Sequence, residues 1–288
     1  GAIWVPVCTD YKGEWLADSL SRSRPSVIVA DEEHIERLSE VRSAIAFEHL
    51  VVLEDDAANR HDAIPYSSLL ANDEYQADYS QMDYGDTCAI LWTSGTTGKS
   101  KGVMIAHNNW LRSILQGTNL QYVSRTGDIV YCAMPLYNAG AWITSVLRAL
   151  IMGIGCVIEK KFSVSHFMER IKAFGATQTF AVGSMGVFLM NAPPRDDDAA
   201  NPLREACIVP MPPTLWQAFE ERFGVRLVAS GLGQSECLLT LNHEHSDVEA
   251  PVYALGFEVP DAQVCLFDDE GNEVADGEAG EICVRPLR

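Results

Sequence analysis

Short apolar runs alternate with amphipathic stretches along most of the chain. Residues 27–30, 50–53, 88–93, 129–133, 155–158, 177–182 and 226–229 are compact and rich in Val, Ile and Thr, and they read as strands. Between them, 14–21, 32–42, 108–121, 141–152, 165–174 and 213–223 carry apolar residues at helical spacing. Ser163 and Ser165 are natural caps ahead of one of these helices. Such alternation predicts an α/β fold of layered, mostly parallel sheets with flanking helices. After Pro251 the pattern changes. Residues 262–267 and 281–284 read as strands separated by the turn-like sequences DDEGNE and DGEAGE, the start of an all-β subdomain. The expected organisation is an α/β part over residues 1–250 and the start of a β subdomain over 251–288.

Composition narrows the function classes. The chain has 288 residues, 47% hydrophobic and 21% charged, as in ordinary globular proteins with room for a large core. A net charge of −19 argues against a nucleic-acid partner or an anionic membrane gripped by a broad basic face. A local phosphate site remains open, because backbone N–H groups can supply it. No run of 18 apolar residues predicts a membrane span. The opening GAIWVPVCTDYKGEW has neither a basic n-region nor a small-residue cleavage site. Eight cysteines, at 8, 88, 132, 156, 207, 237, 265 and 283, form no C-x-x-C pair and read as reduced thiols of a cytoplasmic protein. The acidic run over 193–201 reads as a solvated loop.

The chemistry concentrates after the apolar strand ending at Thr93. Thr93-Ser94-Gly95-Thr96-Thr97-Gly98-Lys99-Ser100-Lys101-Gly102 packs three glycines, hydroxyls and two lysines into ten residues. Glycines let backbone approach an anion closely, and the hydroxyls and ammonium groups donate to it. A triphosphate cradle fits this composition; a flexible surface loop is the plainer alternative. Gly98-Lys99-Ser100 imitates the end of a P-loop, but that motif needs Gly at 93, where Thr93 stands. No G-x-G-x-x-G opens a helix in this region either.

The stretch resembles the T-S-G-T-T-G-x-P-K-G phosphate loop of the adenylate-forming superfamily, matching throughout except for Ser100 in place of Pro. Further segments follow in the family's order: Leu232-Gly233-Gln234-Ser235-Glu236 is similar to Y-G-x-T-E, Pro135-Leu136-Tyr137-Asn138-Ala139-Gly140 to P-L-F-H-x-x-G, and Gly277–Ile282 to the G-E-x-G-E-I turn that enters a small β-barrel subdomain. GAIWVPV is similar to an early core strand. Within the superfamily the wording is most similar to bacterial carnitine and crotonobetaine CoA ligases. The resemblance implies a carboxylate–CoA ligase that uses ATP, Mg²⁺ and coenzyme A on a small-molecule carboxylic acid. It implies that Thr93, Ser94, Gly95, Thr96, Thr97, Gly98 and Lys101 hold phosphates, that Leu232, Gly233 and Gln234 lie along the nucleotide, that Ser235 meets the α-phosphate and that Glu236 ligates the metal. Tyr137, Asn138, Trp142, Val182, Ser184, Met185 and Gly231 would line the acyl pocket. Tyr137 and Trp142 could face a quaternary ammonium through cation–π contact, worth about 0.5–2 kcal/mol; core packing is the alternative.

Departures matter too. Leu232 stands where the family has Tyr, Asn138 where it has His, and Pro210-Met211-Pro212-Pro213 at the small-residue turn near adenine, removing backbone donors there. The T-G-D motif and the C-terminal domain with its catalytic lysine have no counterpart before Arg288, so the chain reads as part of a longer protein. The alternatives are a non-catalytic nucleotide-binding relative and a peptide-synthetase adenylation domain. His243-Glu244-His245 has no third metal ligand at matching spacing, and Gly183-Ser184-Met185-Gly186 lacks the Gly at 182 that a hydrolase elbow needs. His107 reads as a residue at the start of the following helix.

Overall fold

A computed structural model describes residues 1–70, 78–93, 100–115, 122–228, 231–243 and 254–287. Its contacts divide the chain into two compact units, Gly1–Ile105 and Ala106–Arg288.

The first unit begins with helix α1 (Gly13–Ser23), strand β1 (Val27–Ala30), helix α2 (Glu32–Glu40), strand β2 (His49–Val52), helix α3 (Asp55–Arg60), strand β3 (Ile64–Pro65) and the short helix α4 (Tyr66–Leu70). The strands form a parallel sheet in the order β1-β2-β3. Leu16 and Leu20, four apart on one face of α1, bury against Leu38, Val41 and Ile45. Strands β4 (Thr87–Thr93) and β5 (Lys101–Ala106) pair with each other. The opening GAIWVPV runs beside β4: the Trp4 N–H donates to Cys88 at 3.0 Å and the Ile90 N–H to Trp4 at 3.1 Å.

The second unit opens with α5 (His107–Ser113) and is built on β6 (Ile129–Cys132), β7 (Gly155–Ile158), β8 (Gln178–Val182), β9 (Glu205–Val209) and β10 (Arg226–Val228). These form a five-stranded sheet in the order β10-β9-β8-β6-β7, every pair parallel. Helices α6 (Leu147–Met152), α7 (Val164–Phe174), α8 (Gly183–Asn191) and α9 (Pro213–Phe223) connect the strands. Tyr131, Phe167, Ile171, Met185, Ile208 and Phe223 belong to one buried cluster. Parallel strands lie between helices, so both faces are apolar and the strands read as runs rather than alternations. An antiparallel sheet follows, β11 (Leu232–Gln234), β12 (Cys237–Asn242) and β13 (Phe257–Glu258), and then an antiparallel ribbon of β14 (Ala262–Phe267) and β15 (Glu281–Pro286). Among the described residues no barrel closes, and no helix is long and apolar enough to cross a membrane.

The α/β class and the parallel sheet agree with the sequence pattern. Several elements differ from it. β9 is a central strand that the pattern leaves out, because EACIV opens on a charged residue whose burial depends on partners far along the chain. α8 is apolar with two glycines and shows little one-sidedness. The expected helix over 141–152 is interrupted by a π-turn at Trp142–Val146. The expected helix over 108–121 is helical to Ser113, and residues 116–121 lie outside the described set.

Candidate functional site

Thr93 ends β4 half-buried, and Lys101 opens β5 exposed. Between them, Ser94, Gly95, Thr96, Thr97 and Gly98 lie outside the described residues. α1 fixes the far arm of this loop. Arg22 Nη1 donates to the Ser100 carbonyl at 2.7 Å. Its guanidinium carbon sits 4.7 Å from the centroid of the Trp92 ring, and Asp18, one turn back, accepts from the same group at 3.1 Å. Ser100, where the family has Pro, is buried. Motif reading misses Arg22 because 78 residues separate it from its partner.

In the second unit the strand order reverses between β6 and β8: the chain goes from β6 outward to β7, then crosses back to β8. Open parallel sheets bind ligands outside the carboxyl ends of strands at such a reversal. The segment after β6 and the end of β8 with the residues that follow it hold six of the expected pocket residues. After β6, Pro135–Gly140 is tied down by its own hydrogen bonds: the Asn138 side chain accepts from the Gly140 N–H at 2.8 Å, and Trp142 Nε1 donates to the Leu136 carbonyl at 2.6 Å. Asn138 thus caps a helical turn, while Tyr137 and Trp142 remain half-buried. Val182 ends β8 half-buried, and beyond it Ser184 is exposed and Met185 buried in the core. A Cβ on Gly183 would lie 2.1 Å from the Pro210 carbonyl oxygen, so the first turn of α8 is pressed against the end of β9.

Beyond β10, buried Gly231 leads into the β11–β12 hairpin. Gln234 pairs with Cys237, which leaves Ser235 and Glu236 as a two-residue tip, Ser235 half-buried and Glu236 exposed. The register shifts between Leu232 and Gln234, a bulge, and Leu239 takes a left-handed φ of 45°. Gly233 faces it, where a Cβ would come within 2.7 Å of the Leu239 nitrogen. Leu232 is half-buried and Gln234 exposed.

The amino edge of the same sheet carries a buried polar network. Arg148 on α6 donates to Gln178 and, at 3.0 Å, to Ser124 Oγ, and its guanidinium carbon lies 4.2 Å from the Tyr122 ring centroid. Gln178 donates to Glu205 at 3.0 Å, and Arg226 donates to the other Glu205 oxygen. Arg204 holds Asp128 with two hydrogen bonds of 2.9 Å. His243 bonds the Ala254 carbonyl at 2.9 Å, while Glu244 and His245 lie outside the described residues. In the first unit a cavity of about 640 Å³ at the carboxyl ends of β2 and β3, lined by Glu54, Asp55, Asp56, Arg60 and Tyr66 among others, contains none of the expected site residues.

Compared with known proteins, the sequence matches the AMP-binding enzyme family over residues 1–286. The chain belongs to that family. Among its curated relatives, a crotonobetaine/carnitine–CoA ligase of Salmonella typhi is 28% identical over 291 residues, covering 100% of this chain and 56% of the relative. A medium/long-chain-fatty-acid–CoA ligase of Mycobacterium tuberculosis is 28% identical over 239 residues, covering 82% of this chain and 38% of the relative. The chain thus spans about half the length, or less, of these relatives. A benzoate CoA ligase from Burkholderia xenovorans superposes with a TM-score of 0.85 at 18% identity, over 99% of this chain and 56% of that one. An anthranilate CoA ligase in complex with anthranoyl-AMP does so with a TM-score of 0.86 at 21% identity, over 99% and 55%. The fold shared with these two ligases covers 99% of this chain.

Proposed function

We propose that this chain is the nucleotide- and acid-binding region of an ATP-dependent carboxylate–CoA ligase. The observation that carries the reading is the strand reversal between β6 and β8, with Tyr137, Asn138 and Trp142 following one strand and Val182, Ser184 and Met185 at and beyond the end of the other. Membership of the AMP-binding family supports it.

In the proposed reaction a carboxylate oxygen attacks the α-phosphorus of ATP. The new O–P bond forms as the bond to the β-phosphate oxygen breaks and pyrophosphate leaves. The coenzyme A thiol then attacks the acyl carbonyl, and AMP leaves. The residues act by positioning and charge neutralisation. In the first unit Thr93 donates its hydroxyl to phosphate oxygens and Lys101 neutralises the departing charge. In the second, Ser235 meets the α-phosphate. Glu236 is an exposed carboxylate on a hairpin tip, a hard oxygen donor of the kind that suits Mg²⁺. Magnesium, when bound, would offset the negative charge of the phosphates.

The acid enters beside Tyr137 and Trp142. The indole of Trp142 is oriented by its bond to Leu136, and the two rings suit a quaternary ammonium acid through cation–π contact. The test is acid-dependent exchange of pyrophosphate into ATP with a panel of betaine, aromatic and fatty acids. Glu236→Gln should reduce exchange at least tenfold, about 1.4 kcal/mol in the barrier. Exchange undiminished in that variant overturns the assignment; faster exchange with fatty acids than with betaines removes the cation–π component alone.

A further inference from the structure

Two of the eight cysteines face each other across the ribbon that closes the described chain. β14 and β15 pair antiparallel with Gln263 opposite Arg285, Cys265 opposite Cys283 and Phe267 opposite Glu281. Residues directly opposite point to the same face, and on this face Arg285 donates to Gln263 across the strands. The hydrogen-bond alternation fixes what kind of pair the cysteines form. The Leu287 N–H donates to Asp261 at 2.8 Å, and the Leu266 carbonyl is turned outward to accept from Val274 at 3.0 Å. Counting in twos from Asp261 and Leu287, Cys265 and Cys283 are a hydrogen-bonded pair, with Cα atoms about 5.5 Å apart. That lies inside the about 4.4–6.8 Å range of disulfides. The Cβ atoms of such a pair stand near about 5.5 Å, beyond the about 3.5–4.5 Å of relaxed disulfides. A bond here closes only with strain, and strained, exposed disulfides are the readily reduced ones. Cys132 and Cys156, also on paired strands, are two residues out of register.

We propose that Cys265 and Cys283 are a reversible thiol switch that closes a cross-strand disulfide by exchange with a low-molecular-weight disulfide such as oxidised glutathione. Cys283 is exposed and Cys265 half-buried. The Cys283 thiolate attacks one sulfur of the small disulfide, whose S–S bond breaks and releases a thiolate. Cys265, its proton lost to solvent, then attacks Cys283 Sγ and expels the second small thiol. Two protein thiols are oxidised and one small disulfide is reduced to two thiols. Burial, and the Glu273 carboxylate beside it, hold the Cys265 thiol above its ordinary range, so closure accelerates with rising pH. The bond fixes the register of the ribbon and encloses the acidic turns over residues 268–280.

The experiment is native incubation of the whole chain with oxidised glutathione, followed by peptide mapping. The expected result is a peptide linked through Cys265 and Cys283, reopened by millimolar reduced glutathione, with slowed amide exchange in β14 and β15 while closed. Cys265→Ser should instead accumulate a stable glutathione adduct on Cys283, and Cys283→Ser should yield no linked peptide. The proposal is overturned if the unaltered chain keeps the adduct on Cys283 as Cys265→Ser does, or if Cys283 links two chains. Neither cysteine belongs to the proposed ligase site, so this result stands apart from that reading.

Discussion

Asp128 meets its partners at the amino end of β6: two nitrogens of Arg204 at 2.9 Å each, the Arg125 N–H at 2.7 Å and the Thr177 hydroxyl at 2.8 Å. Burial pushes its carboxyl up, but the Arg204 guanidinium, the Arg125 N–H and the Thr177 hydroxyl together outweigh it and leave it at about 2. A carboxyl depressed in the folded state stabilises above its unfolded value, and that stability is lost as pH falls towards the folded value. The contribution is about 2 kcal/mol at neutral pH, and Asp128→Asn should remove it. Melting temperatures followed from neutral pH down to about pH 2 should then fall less steeply below pH 4 for the variant than for the unaltered chain; parallel curves contradict the assignment. Arg22 carries a prediction of the other kind. Its hydrogen bond to the Ser100 carbonyl is charge-assisted, worth about 1.5–3 kcal/mol. Arg22→Ala should therefore weaken ATP binding about tenfold or more, with a smaller loss for Arg22→Lys. Titration calorimetry checks this, and unchanged affinity in Arg22→Ala shows that the arm keeps its shape without the guanidinium.

Among the elements, the β11–β12 hairpin is the most constrained. Its tip can be two residues long because the bulge opposite Gly233 absorbs the register shift, and Leu239 takes a conformation that a branched side chain rarely adopts. Adding a Cβ at Gly233 drives it against the Leu239 nitrogen. Gly233→Ala should displace the Ser235–Glu236 tip and lower ATP–pyrophosphate exchange at least tenfold. Glu236 is exposed and Ser235 only half-buried, so the melting temperature should move less than exchange does; a large drop with normal exchange shows that the bulge serves stability alone. This element also marks the limit of what the sequence makes legible. The motif names Ser235 and Glu236, but the bulge depends on a backbone clash that no periodicity records. β6, β7 and β8 are legible because each is a short, mostly apolar run containing Val together with Ile or Thr. β9 is not, since Glu205 enters the sheet with partners far along the chain, Gln178 and Arg226 among them. α8 is not, because Gly183 and Gly186 lower its helix propensity and both sit where Pro210 and Ile208 approach too closely for a Cβ.

Across the second unit, the two edges of the five-stranded sheet divide their work. The amino edge is stitched with charge: Arg148, Gln178, Glu205 and Asp128 are buried there, and Arg204 and Arg226 reach in from the side. The carboxyl edge is held by backbone and close packing, through the Asn138 cap, the Trp142 bond to Leu136 and the Gly183 contact with Pro210, with Ser184 exposed there. The amino edge uses its ionisable groups on one another, whereas the carboxyl edge is positioned by backbone and close packing. Two variants separate these roles. Glu205→Leu removes one of the two acceptors of the buried Gln178 amide and should cost about 1–3 kcal/mol of stability while leaving the acid-dependent exchange rate of the folded fraction within about twofold. Glu236→Gln should do the reverse, with unfolding midpoints in urea near those of the unaltered chain and exchange reduced. If Glu205→Leu slows exchange as much as Glu236→Gln at equal folded fraction, the buried network reaches the carboxyl edge through the strands, and the separation of stability from chemistry fails.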